Sequence, residues 1–158
     1  MGDLYPYDPY RERVCIIVEK VFFSCQQREC FPNFVVDLPD CSNPCTFEDI
    51  TFQNGVILPE SIVITPIPSR PNFARAQFTV RICFTATVRN AAGQLISVNG
   101  CLPDIAKDIV IYYPPTRPEF DFNLRVETRS ELLVPATIAN GDLIITVGSF
   151  VIVKLTGF

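Results

Sequence analysis

The chain has 158 residues, 48% of them hydrophobic and 19% charged, with 13 Lys and Arg against 17 Asp and Glu for a formal net charge of -4. That length accommodates one domain with its own core, and the apolar share excludes a disordered chain. The cations are scattered, so the basic stripe that a nucleic-acid backbone demands is missing, and so few charges point to surfaces that become covered by other protein.

Residues 1–12 carry Tyr5, Pro6, Tyr7, Pro9 and Tyr10, a proline-broken aromatic stretch unsuited to a central strand. It reads as an extended N-terminal arm with two alternatives. One is a flexible terminus. The other is a subunit connector in which Tyr5, Tyr7 and Tyr10 anchor in a neighbouring copy, because tyrosine offers much contact area at low entropic cost. No basic start followed by an apolar run opens the chain, so synthesis in the cytoplasm without a signal peptide is expected. No stretch reaches the roughly 18 apolar residues of a membrane-spanning helix, so no membrane is expected as a partner.

From residue 13 to residue 158 strand patterns dominate, and no segment keeps a 3.6-residue period over ten residues. Strands are expected at 13–23, around 34–36, and at 50–58 and 61–65. The clearest is 74–89, where Ala74, Ala76, Phe78, Val80, Ile82, Phe84, Ala86 and Val88 alternate with polar residues, one face for the core and one for solvent. Extended, it would span roughly 50 Å, longer than an ordinary strand, so it should pass between two sheets or form a long ribbon. Asn-Ala-Ala-Gly at 90–93 is a turn ahead of a strand at 94–98, and another strand follows at 105–113. Residues 119–128 place Phe120, Phe122, Leu124 and Val126 on one face and Glu119, Asp121, Asn123, Arg125 and Glu127 on the other. Asn140-Gly141 has the signature of a type I′ hairpin between strands at 131–138 and 143–147, and Gly148 marks a bulge or bend before 150–155. Fourteen prolines end strands and blunt edges. The expected fold is all-β: a single-domain antiparallel β-sandwich, jelly-roll-like, with eight to ten strands.

The chain contains no histidine, which removes the Ser-His and Cys-His constellations and the commonest general base at neutral pH. Its glycines form no phosphate-cradling loop. Glu119 and Asp121, on the same outward face as Arg125, suit cross-strand pairing better than acid–base chemistry. The chain is therefore expected not to be an enzyme, with no catalytic residue, no metal and no cofactor.

Seven cysteines remain: Cys15, Cys25, Cys30, Cys41, Cys45, Cys83 and Cys101. All are candidates for disulfides or cross-links, and their odd number leaves at least one outside any bond within a monomer. Cys25, Cys30, Cys41 and Cys45 crowd four thiols into a loop-like region. Zinc is the alternative there, although gaps of four and three residues depart from the usual two-residue gap. Cys83 lies on the polar face of the long strand, where it would meet a cysteine of an adjacent strand or subunit, and Cys15 near the arm suits an intermolecular bond. A buried small hydrophobe is the plainer alternative for each. Manufacture in a reducing cytosol followed by release to oxidising surroundings reconciles many thiols with a missing signal.

Residues 14–30, Val-Cys-Ile-Ile-Val-Glu-Lys-Val-Phe-Phe-Ser-Cys-Gln-Gln-Arg-Glu-Cys, resemble an element of small cysteine-rich structural proteins of endospore-forming bacteria. In these a Lys-Val-Phe/Tyr-x-Ser-Cys-Gln-Gln-Arg-x-Cys run follows a strand. The likeness covers about a tenth of the chain and implies a spore-coat or appendage-like component, made in the mother cell and exposed on lysis. Endospore appendage subunits are similar in general plan, with a jelly roll and an N-terminal connector. The leading expectation is a self-assembling structural subunit of a spore-surface layer or extracellular fibre, with copies of itself and other spore-surface proteins as partners. The alternative is a small β-sandwich that binds carbohydrate or protein through loops 66–73 and 112–118, although the absence of tryptophan weakens a sugar platform.

Overall fold

A computed structural model describes residues 20–39, 41, 44–112 and 122–157. Eleven strands run in chain order: β1 (Lys20–Asp37), β2 (Thr46–Phe52), β3 (Val56–Ile57), β4 (Val63–Pro66), β5 (Phe73–Arg81), β6 (Cys83–Arg89), β7 (Leu95–Cys101), β8 (Ile105–Tyr112), β9 (Phe122–Leu132), β10 (Thr137–Ala139) and β11 (Asp142–Gly157). A single 3-10 turn, Pro59–Ser61, precedes β4, and the described residues contain no α-helix.

Two long central strands organise the molecule. β11 lies at the middle of one layer, paired along its length with β1 on one side and with β9 and then β10 on the other. In the second layer β5 and β6 follow one another with only Ile82 between them. β3 and β4 flank β5 on one side and β8 on the other, and β6 carries β2 and β7 in the same way. All these pairings are antiparallel. The 74–89 run thus passes from one set of partners to the next at Ile82 without losing its alternation.

The inward rows of the two central strands form the core of this antiparallel sandwich. Ala74, Ala76, Phe78, Val80, Ile82, Phe84, Ala86 and Val88 are all buried, as are Leu143, Ile145, Val147, Val151, Val153 and Leu155 opposite them. Each fully buried branched or aromatic side chain contributes about 1.5–3 kcal/mol. Phe84 joins the layers: its ring meets Phe34 of β1 edge-on at 6.3 Å and Phe52 of β2 at 6.0 Å. Gly100 of β7 leaves room for that ring, since a Cβ there would come within 2.8 Å of the Phe84 side chain. A ring held on three sides cannot step away, so Gly100→Ala is expected to cost about 1–3 kcal/mol in chemical denaturation.

Several boundaries differ from the sequence expectation. The segments at 13–23 and 34–36 are not separate: β1 runs through both from Lys20, and the Pro32-Asn33 pair that resembles a break is a bulge. Asn33 adopts a φ of 50° there, and its N–H is donated to Thr146 Oγ1 at 3.1 Å. The 50–58 run divides because Asn54 and Gly55 reach sideways to β9. Gly55 N–H donates to Thr128 Oγ1 at 2.6 Å, and Asn54 Oδ1 accepts from Thr128 N at 2.8 Å. The 131–138 run divides ahead of Pro135, which cannot donate to a ladder. Gly148 is no bend. It stays in register with Cys30 and Glu131, and its missing side chain admits Leu133, which would lie 2.8 Å from a Cβ. Asn140 and Gly141 do form the tight hairpin, both with positive φ, 54° and 79°.

Candidate assembly edges and thiols

The sandwich fixes where each described thiol points. Cys83 and Cys101 are directly opposed on β6 and β7, and they form a disulfide on the outer face of the sheet. Cys41 and Cys45 are bonded within the β1–β2 connection. Cys25 and Cys30 are free. They lie in β1 and not in the loop-like region expected from sequence, five residues apart or roughly 16 Å along an extended chain. Alternation turns Cys25 half-inward and Cys30 outward, so the two cannot bond to each other and cannot join Cys41 and Cys45 around one tetrahedral metal. Cys15 and the arm residues Tyr5, Tyr7 and Tyr10 lie outside the described residues, as do Glu119 and Asp121.

Cys30 stands in one cross-strand row with Gly148 and Glu131. A hollow of about 350 Å³ lies beside the thiol, with Arg28, Leu133 and Phe150 on its walls. The Arg28 guanidinium lies over the Phe150 ring, 5.1 Å from its centroid. An exposed thiol in such a hollow is sterically open to disulfide exchange with a second molecule.

Polar contacts close both flanks of the sandwich. On one flank Asn54 and Gly55 clasp Thr128, as described above. On the other, the ammonium of Lys107 in β8 donates to Glu29 and to Gln27 of β1. Lys107 is buried, its side chain only 5% exposed. Sequence reasoning missed it, although a signal exists: Lys107 occupies the inward phase shared by Ile105, Ile109 and Ile111, and a lysine in an apolar row requires a partner. An inward charge also discourages a further strand from adding at that edge.

No family model, curated protein or solved structure matches the chain. Among the described residues no three His, Cys, Asp or Glu side chains gather in a way that would hold a metal ion. The charged outward residues pair instead: Arg75 with Asp108, Arg81 with Asp104, Arg89 with Glu48 and Lys154 with Glu127. Hydrogen bonds from the arginines hold the Asp104 and Asp108 carboxyls below their usual range, with desolvation opposing and the arginine charge assisting. The Arg75–Asp108 and Arg81–Asp104 pairs stay intact at neutral pH, and their small contribution is lost only as pH falls through the lowered values.

Proposed function

We propose that the chain is a structural subunit that assembles with copies of itself into a spore-surface layer or extracellular fibre locked by intermolecular disulfides. One observation carries this reading: β1, a long strand at the edge of its sheet, presents two unpaired cysteines on opposite faces, while the four other described cysteines are bonded within the subunit. Two unpaired thiols give one subunit the valence a polymer needs, Cys30 exposed on the outer face and Cys25 half-buried on the inner. The resemblance of residues 14–30 to spore-surface proteins supports the location, and the aromatic arm supports exchange between copies.

Electrophoresis tests it. Native material should migrate as a ladder without reductant and as one 17.7 kDa band with it. Replacing both Cys25 and Cys30 by serine leaves at most Cys15 outside the internal disulfides, enough for a dimer and too little for a chain of subunits, so the ladder should stop at two. Native protein that runs as a monomer under both conditions would sink the reading.

One observation favours the alternative, a binding module. At the end of the second layer Phe73 packs edge-on against Tyr112 at 5.7 Å, and Arg70 lies 4.6 Å above the Phe73 ring. Phe73 closes the first expected binding loop and Tyr112 opens the second, whose residues 113–118 lie outside the described residues. Specific retention of a stable monomer on a glycan array, abolished by Tyr112→Ala, would promote it.

A further inference from the structure

Strand edges display unpaired backbone groups, and proteins that avoid edge pairing place charges, prolines or bulges there. Most edges of this sandwich carry such a device. β1 has the Pro32-Asn33 bulge and the inward Glu29, and β8 has the inward Lys107. β2 shifts register between Phe47 and Asp49, β4 ends on Pro66, β9 alternates Arg125, Glu127, Arg129 and Glu131, and β3 and β10 are two and three residues long. β7 is different. Its sequence, Leu-Ile-Ser-Val-Asn-Gly-Cys, has no charge and no proline, and it runs beside β6 without a register shift.

We propose that β7 docks against β7 of a second copy, antiparallel about a two-fold axis at Val98. The inference rests on the self-assembly reading and names one of its contacts. Its backbone basis is the β6–β7 hairpin. Asn90 N–H donates to Gln94 O at 2.9 Å, and Leu102 N–H to Ile82 O at 2.8 Å. The hydrogen-bonded pairs with β6 therefore fall on Ile96, Val98 and Gly100, and Leu95, Ser97, Asn99 and Cys101 turn their N–H and C=O groups to the open edge. About an axis at Val98, Leu95 faces Cys101 of the second copy and Ser97 faces Asn99, so every outward backbone group finds a partner.

The side chains are complementary in the same register. Ile96, half-buried, faces Gly100 of the second copy, where the Phe84 ring takes the place of a side chain. Leu95, 58% exposed, covers the Cys83–Cys101 disulfide. Asn99 Oδ1 already accepts from Thr85 Oγ1 at 2.8 Å, which leaves its amide donors for Ser97 across the axis. No like charges meet, as an isologous contact requires.

A seven-residue edge spans roughly 23 Å, less than a stable isolated dimer needs. The contact is weak alone and gains strength from repetition. An isologous pair closes on itself, so a fibre or layer requires a second contact. β1 supplies one: Glu29, next to Cys30, touches Lys107, which is level with Phe78, while Val98 is level with Ala86. That separation is roughly 26 Å along the central strand.

The test uses the full chain with Cys15, Cys25 and Cys30 replaced by serine, so that disulfide links between subunits are absent and both internal disulfides remain. This parent should dimerise with concentration in sedimentation analysis. Ser97→Pro removes an N–H that faces the open edge and not β6, so it should weaken dimerisation at least tenfold while leaving the circular dichroism unchanged. Val98→Cys should cross-link to a dimer on mild oxidation, and Ser97→Cys should not, because its counterpart lies across the axis from Asn99. A parent that dimerises equally well with Ser97→Pro, and no cross-link at Val98→Cys, would overturn the β7 contact and leave the structural role standing. A monomeric parent, together with native protein that is monomeric under all conditions, would remove both.

Discussion

Phe84→Ala is expected to destabilise the protein by about 3–5 kcal/mol, a large share of the roughly 5–15 kcal/mol that holds a domain of this kind together. The ring is 1% exposed and is the only described side chain with edge-on aromatic contacts to both layers, Phe34 in one and Phe52 in its own. Truncation loses the transfer free energy of the ring and opens a cavity that the flanking strands cannot fill. β6 is held on both sides by hydrogen-bonded ladders and at its start by the Cys83–Cys101 bond. In urea the midpoint should fall with little change in slope. A comparison at an exposed apolar site, Val63→Ala, should stay within about 0.5 kcal/mol. A Phe84→Ala loss below about 1.5 kcal/mol would show that the layers are not joined through this ring.

The core was legible because one rule, period-two alternation, acts through nearly all of it. Every inward residue assigned to the 74–89 run is buried, and Leu124 and Val126 take the inward phase in β9 with Asn123, Arg125 and Glu127 outside. Turns built on a left-handed backbone were equally plain, as at Asn140-Gly141. What failed were breaks inferred from Pro, Asn and Gly alone. Pro32 resembles a stop, yet on an edge strand its missing N–H falls at a bulge and the strand continues. Gly148 resembles a bend, yet it serves a close approach by Leu133, a residue fifteen positions upstream whose arrival no local pattern announces. The thiols show the same limit. Composition announces that some must remain unpaired, but the pairing of Cys83 with Cys101 depends on hairpin register. The placement of Cys25 and Cys30 on opposite faces depends on β1 being one strand.

Removing the acid of the β1–β8 clasp is expected to do more harm than removing the base. Glu29→Ala leaves the Lys107 ammonium, 5% exposed, with the Gln27 amide oxygen as its one partner among the described residues. An uncompensated charge at that depth should cost about 3 kcal/mol at neutral pH. Lys107→Met removes the charge itself and places an unbranched apolar chain among Ile105, Ile109 and Ile111. Glu29, 31% exposed, can then turn to water, so the change should fall within about 1 kcal/mol in either direction. The decisive measurement is the double variant: adding Lys107→Met to Glu29→Ala should restore most of the lost stability, a coupling of about 2 kcal/mol or more in a double-mutant cycle. Equal and additive losses would mean that Lys107 is hydrated and that the flank is open. If the clasp behaves as expected, its stabilising value is small, and its effect is to bar β8 from pairing with a further strand. Strand addition at β8 is then disfavoured without a large stabilising effect on the fold itself.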